Sequence, residues 1–235
     1  MKVSTILIIS AVAASVIALT AFNLSQKSFY AKGEWRDRFY GMEYIPIKNV
    51  TDIELADAEK MEVTIEKGAK EGLYTRSTFK EHVKWSQNGN KLKLEVTEEA
   101  KKGAPFRNEN FVLILNRIDH LKTSPYVPLK FQKQYPKAEV LIAGFKQNQL
   151  RLDLGKTSEV IMKQVHLDSL VAVIGTKEGG AGLTIEKDAN IKVADFTIPG
   201  ASGLGLNNPE IVKATYNVSE QATVLLNGTA LKILK

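Results

Sequence analysis

No cysteine occurs among the 235 residues. That excludes disulfides, thiolate catalysis, cysteine-ligated zinc and a lipid anchor on an N-terminal cysteine. Histidine is scarce as well. His82, His120 and His166 stand far apart without ligand spacing, so no metal motif is present. The glycine-rich stretches also fail the tests for nucleotide chemistry. Gly175 to Gly180 has phosphate-loop spacing, but Ala181 and Gly182 follow where lysine and a hydroxyl are required. A dinucleotide fingerprint running from Gly203 and Gly205 meets Asn208 in place of its third glycine. A nucleophile elbow around Ser202 ends on Leu204. A calcium-binding nonapeptide is broken at Thr184 and Glu186. Asp153, Asp168, Glu186 and Asp188 fall at unequal offsets and form no acidic strand face. The expectation is a protein that is not an enzyme, with no cofactor and no metal.

One long apolar run is present, at the N-terminus. From Thr5 to Leu24 there is no charge, and about 20 helical residues span the roughly 30 Å of a bilayer core. Residues 1–28 therefore read as a signal anchor or signal peptide. The anchor is favoured, because Leu19 spoils the small-x-small pattern that would precede cleavage after Ala21. Lys27, Lys32, Arg36 and Arg38 follow the span and outnumber Lys2, but long domains translocate largely regardless of flanking charge. Export of the C-terminal domain into the cell envelope, periplasmic or on the surface, is expected. Phe29, Tyr30, Trp35, Phe39, Tyr40 and Tyr44 suit either an interfacial belt or the end of the folded domain.

The net charge of +6 arises wholly from residues 101–137. There Lys101, Lys102, Arg107, Arg117, Lys122, Lys130, Lys133 and Lys137 oppose only Glu109 and Asp119. Four of the seven prolines, at 105, 125, 128 and 136, lie in the same stretch. This density argues against a central strand, so 101–137 reads as a basic connector between a β region at 39–100 and another from 138 to 235. Basic residues interleaved with aromatics can hold an anionic polymer. The candidate binding residues are Arg107, Arg117, Tyr126, Lys130, Phe131, Lys133, Tyr135 and Lys137.

From residue 140 the chain repeats at a step of about 20. Val140 matches Val160, Leu150 matches Leu170, Phe196 matches Tyr216, and Asn207 matches Asn227. The same step aligns Val165-His166-Leu167 with Leu183-Thr184-Ile185, Val171 with Ile191 and Leu231, and Ile174 with Ala194. Within each unit apolar and polar residues alternate, as in Leu150-Arg151-Leu152-Asp153-Leu154, which is the period of a strand. Short strands at a fixed step bury their apolar faces only when stacked. The expected fold is all-β, a β-helix-like solenoid with rungs of about 20 residues behind an N-terminal membrane helix, the 138–235 region being continuous with 39–100; its right-handedness is what the family resemblance below implies. In this frame "TIPGASGLGLNN" (197–208) is a corner, its glycines supplying left-handed dihedrals and close approach between rungs.

Three segments carry a family likeness: "FYGMEYIPIKNVTDIELADAEKMEVTIEKG", the "NGNKLKLEV" hairpin and the closing "ATVLLNGTALKIL". Over roughly residues 39–235 the chain resembles the head GIN-domain family of auto-transporter adhesins. The resemblance implies an exported right-handed β-helical domain without a catalytic motif. The chain departs from that pattern in its basic, proline-rich 101–137 segment and in the irregular corners "AGFKQNQ" and "GTKEGGAG".

The function expected is a non-enzymatic, cell-envelope binding or adhesin-like domain. Its partners would be the membrane, through the N-terminal segment, and an anionic glycan or envelope polymer, with no nucleic acid. A periplasmic scaffold or sensor partner of another envelope protein is the alternative. A solenoid polysaccharide-active enzyme is the third reading.

Overall fold

Stacking of the repeats is physical. A computed structural model describes residues 3–33, 36–101, 106–124, 138–228 and 230–231, with the backbone alone at 106–110. It divides into two units, 1–42 and 43–235. In the first, helix α1 (Val3–Lys32) has no buried side chain and is long and apolar enough to cross a membrane. Beyond the uncharged run, Phe29 meets Tyr30 and Tyr40 edge-on at ring-centre distances of 5.8 and 5.9 Å.

Among the described residues seventeen strands follow α1 in chain order, with two one-turn α-helices, α2 (Ser77–Lys80) and α3 (Glu98–Lys101). The first eight strands are β1 (Met42–Ile45), β2 (Asp52–Ala56), β3 (Met61–Lys67), β4 (Gly72–Arg76), β5 (Val83–Asn88), β6 (Lys91–Val96), β7 (Phe106–Leu115) and β8 (His120–Ser124). Then come β9 (Glu139–Ala143), β10 (Lys146–Leu154), β11 (Glu159–Lys163), β12 (His166–Ile174), β13 (Gly182–Ile185), β14 (Asn190–Ile198), β15 (Gly203–Asn207), β16 (Glu210–Val218) and β17 (Thr223–Asn227).

From β8 onward the chain alternates between two sheets. Nine strands run β1-β4-β7-β3-β9-β11-β13-β15-β17, and eight run β16-β14-β12-β10-β8-β2-β6-β5. Both are open, mixed sheets: β4 runs antiparallel to β7 and β5 antiparallel to β6, and from β7 and β6 onward neighbouring strands are parallel. One hydrophobic cluster draws from both: Ile53, Leu152, Leu170 and Phe196 from the second sheet, Val63, Val140, Leu183 and Leu206 from the first. The alternation read from the sequence is the burial pattern, with Leu150, Leu152 and Leu154 inside and Arg151 outside.

The repeat register holds except at one place. Leu150 pairs with Leu170, Val140 with Val160, Phe196 with Tyr216 and Asn207 with Asn227, each 20 residues apart. Between β11 and β13, and between β12 and β14, the step lengthens. Leu183 lies beside Val160, not in the series of Val165; Ile191 lies beside Leu167, not Val171; Ala194 lies beside Leu170, not Ile174. The extra residues fold into the turn after β12, where Gly179 and Gly180 adopt φ of 79° and 97° and Thr176 bridges to Gly179. An insertion housed in a corner leaves the strand pattern intact, so a fixed period slides past it. Leu231 lies outside the strands.

Within "TIPGASGLGLNN" only residues 199–202 form the corner between β14 and β15, Gly203–Asn207 being β15 itself, and its glycines work differently from the expectation. The left-handed dihedral belongs to Asn208 (φ 60°), not to Gly200 or Gly203. Gly200 is needed for closeness: a Cβ there would strike the carbonyl of Thr176, would lie 2.6 Å from that of Lys177 and 2.8 Å from the nitrogen of Gly179.

The basic connector is corrected in part. Within 101–137, β7 is an interior strand between β4 and β3, and β8 is an interior strand between β10 and β2. Neither β7 nor β8 contains a proline; in sequence Pro105 comes before β7 and Pro125 after β8, and both lie outside the described residues. Lys101 is buried too, at 8% exposure. Its Nζ lies 2.7 Å from Glu98 Oε1, 3.3 Å from Asp57 Oδ2 and 3.8 Å from Glu95 Oε1. Asp57, 5% exposed and held at φ 64°, begins the 3-10 turn Ala58–Lys60. Burial pushes its carboxyl above the usual range, against the pull of Lys101.

Candidate functional site

The positive charge singled out in the sequence is split by the fold. Arg107 sits on β7, and Arg117 lies in the turn between β7 and β8. Tyr126, Lys130, Phe131, Lys133, Tyr135 and Lys137 lie outside the described residues. Arg117 is exposed and pairs with Asp119 two residues on.

The opposite wall of the site comes from the next corner. Gly144, at φ 78°, turns the chain out of β9 so that Gln147, Asn148 and Gln149 at the start of β10 face Arg117 across a cleft of about 350 Å³. Gln147 fixes the two walls together: its Oε1 accepts from the Ile118 N–H at 3.3 Å, and its Nε2 donates to the carbonyls of Ile118 and Gln149. Glu71 braces the same turn from the far side. One carboxylate oxygen accepts from Asn116 N–H and Nδ2 at 3.3 and 3.1 Å, and the other accepts from Asn49 N–H at 2.7 Å. A planar guanidinium beside side-chain amides offers paired donors and acceptors. This set suits vicinal hydroxyls and carboxylates. It contains no nucleophile with a base beside it.

A charged ladder extends from the cleft over the outer face of the eight-stranded sheet. One row runs Lys91, Asp52, His120, Arg151 and the next runs Lys93, Glu54, Lys122, Asp153. Opposite charges thus face each other across most strand pairs, the stabilising arrangement for side chains on one sheet face. His120 sits between two carboxylates, with Nε2 2.9 Å from Asp153 Oδ2 and Nδ1 3.4 Å from Asp52 Oδ1. Arg151 clamps Asp153 through two bonds of 3.0 and 2.8 Å. Burial raises the Asp153 carboxyl, but the hydrogen bonds from Arg151 and His120 outweigh it and hold the group below the usual range. The Lys91 hydrogen bond likewise lowers Glu54. Among the described residues no group of three or more histidines and carboxylates is arranged to hold a metal ion.

A carboxyl lowered on folding contributes stability above its unfolded value, and that contribution is lost as pH falls through the folded value. Asp153→Asn is therefore expected to destabilise the domain by about 0.5–1 kcal/mol at pH 7, the range for a partly exposed pair. The difference should shrink as pH falls through the lowered folded value, in urea melts taken from pH 7 downward.

Gln147, Asn148, Gln149 and Asp52 were not singled out by the sequence, and His120 and Asp153 entered there only as metal or acidic-face candidates that lacked the spacing. The "QNQ" amide run was visible there as an irregular corner. Nothing local signals that β8 lies between β2 and β10, which is what assembles the ladder.

No family model matches the chain, and no curated protein does. Solved structures do. A candidate lipid-binding protein from Parabacteroides distasonis matches with a TM-score of 0.50 at 12% identity, over 78% of this chain and 81% of that one. A candidate adhesin from Bacteroides fragilis matches with a TM-score of 0.45 at 10% identity, over 78% of this chain and 94% of that one. The first likeness shows a shared fold: two mixed β-sheets around one core.

Proposed function

We propose that the chain is a membrane-anchored, exported, non-enzymatic binding domain of adhesin type, built as a right-handed β-helical solenoid of the head GIN-domain kind, and that its ligand is an anionic glycan of the cell envelope. The observation that carries this reading is the cleft of Arg117, Gln147, Asn148 and Gln149, which opens beside a laddered charged face. The guanidinium addresses a sugar carboxylate or sulfate, and the amides address neighbouring hydroxyls. The basic residues Arg107, Lys130, Lys133 and Lys137 supply the longer-range attraction. Export is supported by α1, which is of membrane-spanning length and composition.

The test uses the full-length chain in detergent with fluorescent polygalacturonate, dextran sulfate and neutral dextran. Binding to the two anionic polymers is expected to fall steeply as salt rises. Combining Arg117→Ala with Gln149→Ala should weaken binding to polygalacturonate at least about tenfold, the loss expected for one charge-assisted contact. Lys130, Lys133 and Lys137 changed together to Glu should weaken both. Absence of binding at low salt, or binding indifferent to every substitution, overturns the reading. Selective uptake by anionic lipid vesicles would replace it with a lipid-binding role, the one suggested by name for the Parabacteroides protein.

A further inference from the structure

Both sheets end at the last repeat. β16 is the outermost strand of the eight-stranded sheet and β17 of the nine-stranded sheet. Among the described residues each carries an unpaired row of backbone donors and acceptors, the feature that recruits further strands. Between them the core is only half closed. Residues at core positions in the preceding repeats are buried, with Ala194, Phe196, Ile198, Leu204 and Leu206 at 0 or 1% exposure. Their counterparts Ala214, Tyr216, Val224 and Leu226 are only partly buried, and Val218 is 45% exposed. The Tyr216 ring stacks on Phe196 at 5.5 Å, while its hydroxyl is shielded from solvent without a hydrogen-bond partner. Ala230 is buried at the start of the C-terminal segment, yet the row above remains half open.

The opposite end differs. There Ile45, Ile47, Val50 and Val83 are buried, Phe79 packs against the core, and β5 is held antiparallel to β6. The half-covered core row is thus confined to one end of the stack among the described residues.

We propose that this C-terminal rung, β16 with β17, is a self-association surface whose occupant is a second copy of the chain. This goes beyond the binding reading and does not depend on it. Two features favour a copy over a lone extended peptide. A peptide can extend one sheet edge only, whereas a second terminal rung presents two edges and the same apolar row between them. Charge also permits the self-meeting. β17 (Thr-Val-Leu-Leu-Asn) has no charge, and β16 carries one of each sign, Glu210 and Lys213. Neither strand contains proline or a run of lysines, the usual defences of an exposed edge.

Two identical ends related by a two-fold axis meet antiparallel, and the pair is closed because the other end is differently built. Nine residues at about 3.3 Å give a rung about 30 Å long, and two sheets about 10 Å apart with their side chains give a face about 20 Å across. Each copy then contributes about 600 Å², a total at the lower limit of stable interfaces. The association is therefore concentration-dependent.

The experiment uses the full-length chain in membranes and in detergent, exploiting the absence of native cysteine. Leu225→Cys and Lys213→Cys are expected to cross-link as dimers with a short bismaleimide, and Asn88→Cys on β5 is not. Sedimentation in detergent should show a monomer–dimer equilibrium. Leu225→Lys, at a position already 62% exposed and so tolerant of charge, should lower the dimer fraction at least tenfold while leaving the melting temperature within a few degrees. A monomer at every concentration, cross-linking no stronger than that of Asn88→Cys, or a dimer fraction indifferent to Leu225→Lys would overturn the proposal. A monomer that becomes a dimer once residues 229–235 are removed would identify that segment as the occupant and overturn it equally.

Discussion

Lys101→Met is expected to destabilise the domain by about 3–5 kcal/mol, the range for removing one partner of a buried ion pair. The ammonium lies against Asp57 and Glu98 with 8% of the residue exposed, and methionine keeps much of the stem while leaving Asp57 uncompensated. For a domain of this size the melting temperature should fall by about 10 °C or more. The pH dependence follows from the two shifts. Lys101 is raised above its ordinary value, first by its hydrogen bond to Glu98, so its contribution is complete below pH 10.5 and lost as pH rises through the folded value. Asp57 is raised by burial, so its ionisation disfavours the folded state as pH climbs from 3.8 through its folded value. Without the lysine that penalty grows, and the deficit of the variant should shrink on acidification. Adding Asp57→Asn should restore a large part of the loss at pH 7, because the stranded charge is gone. Melts of both variants between pH 4 and pH 8 decide the matter. A single variant as stable as the parent would show that the cluster contributes nothing.

Gly179→Ala and Gly200→Ala should each unfold the domain at a markedly lower temperature, whereas Gly203→Ala should not. Gly179 combines φ 79° with a Cβ position 2.5 Å from the carbonyl oxygen of Ala201 and 2.7 Å from its nitrogen. An alanine there bears the left-handed penalty of about 1–2 kcal/mol and overpacking of about 1–3 kcal/mol against backbone that has no rotamer to yield. Gly200 meets the same neighbouring corner from the other side at ordinary dihedrals, so only the overpacking applies. At Gly203 a Cβ would find nothing within 4 Å and φ is not positive, so the effect should stay within about 0.5 kcal/mol. Thermal unfolding of the three single variants, side by side, separates close approach from mere presence in a glycine-rich loop. Equal losses at 200 and 203 would refute the distinction.

These glycines show what the sequence could and could not disclose. Alternation within each unit and the 20-residue match of Leu150 with Leu170 or Phe196 with Tyr216 depend on local order, and the strands formed where that order pointed. The role of Gly200 depends on a neighbour two dozen residues away, and Gly203 in the same loop carries no such mark. The insertion at Thr176–Gly180 hid for a related reason, since a corner absorbs added residues without altering the strands on either side. Density of proline misled in the other direction: it marked the borders of β7 and β8 and was taken to describe their interiors. Arg117 was legible as a candidate from charge alone. Its partners Gln147 and Gln149 were not, because the β7–β8 turn and the first residues of β10 meet only after β8 has joined the second sheet.

The order of the strands also sets a schedule for assembly. Each later rung finds its template about 20 residues back, so closing it restricts little chain. The earliest strands have no such neighbour. β2 waits for β6, pairing Asp52 with Lys91, and β3 waits for β7, pairing Val63 with Phe111, before β8 and β9 close their other edges. Contacts of that span are the slow ones to form. A ribosome delivers the N-terminal strands first, yet each finds its first partner only after about 40 to 50 further residues have been made. Until then β2 and β3 stand as exposed apolar strands. That interval, rather than any weakness of the finished fold, is where a chaperone would have something to hold.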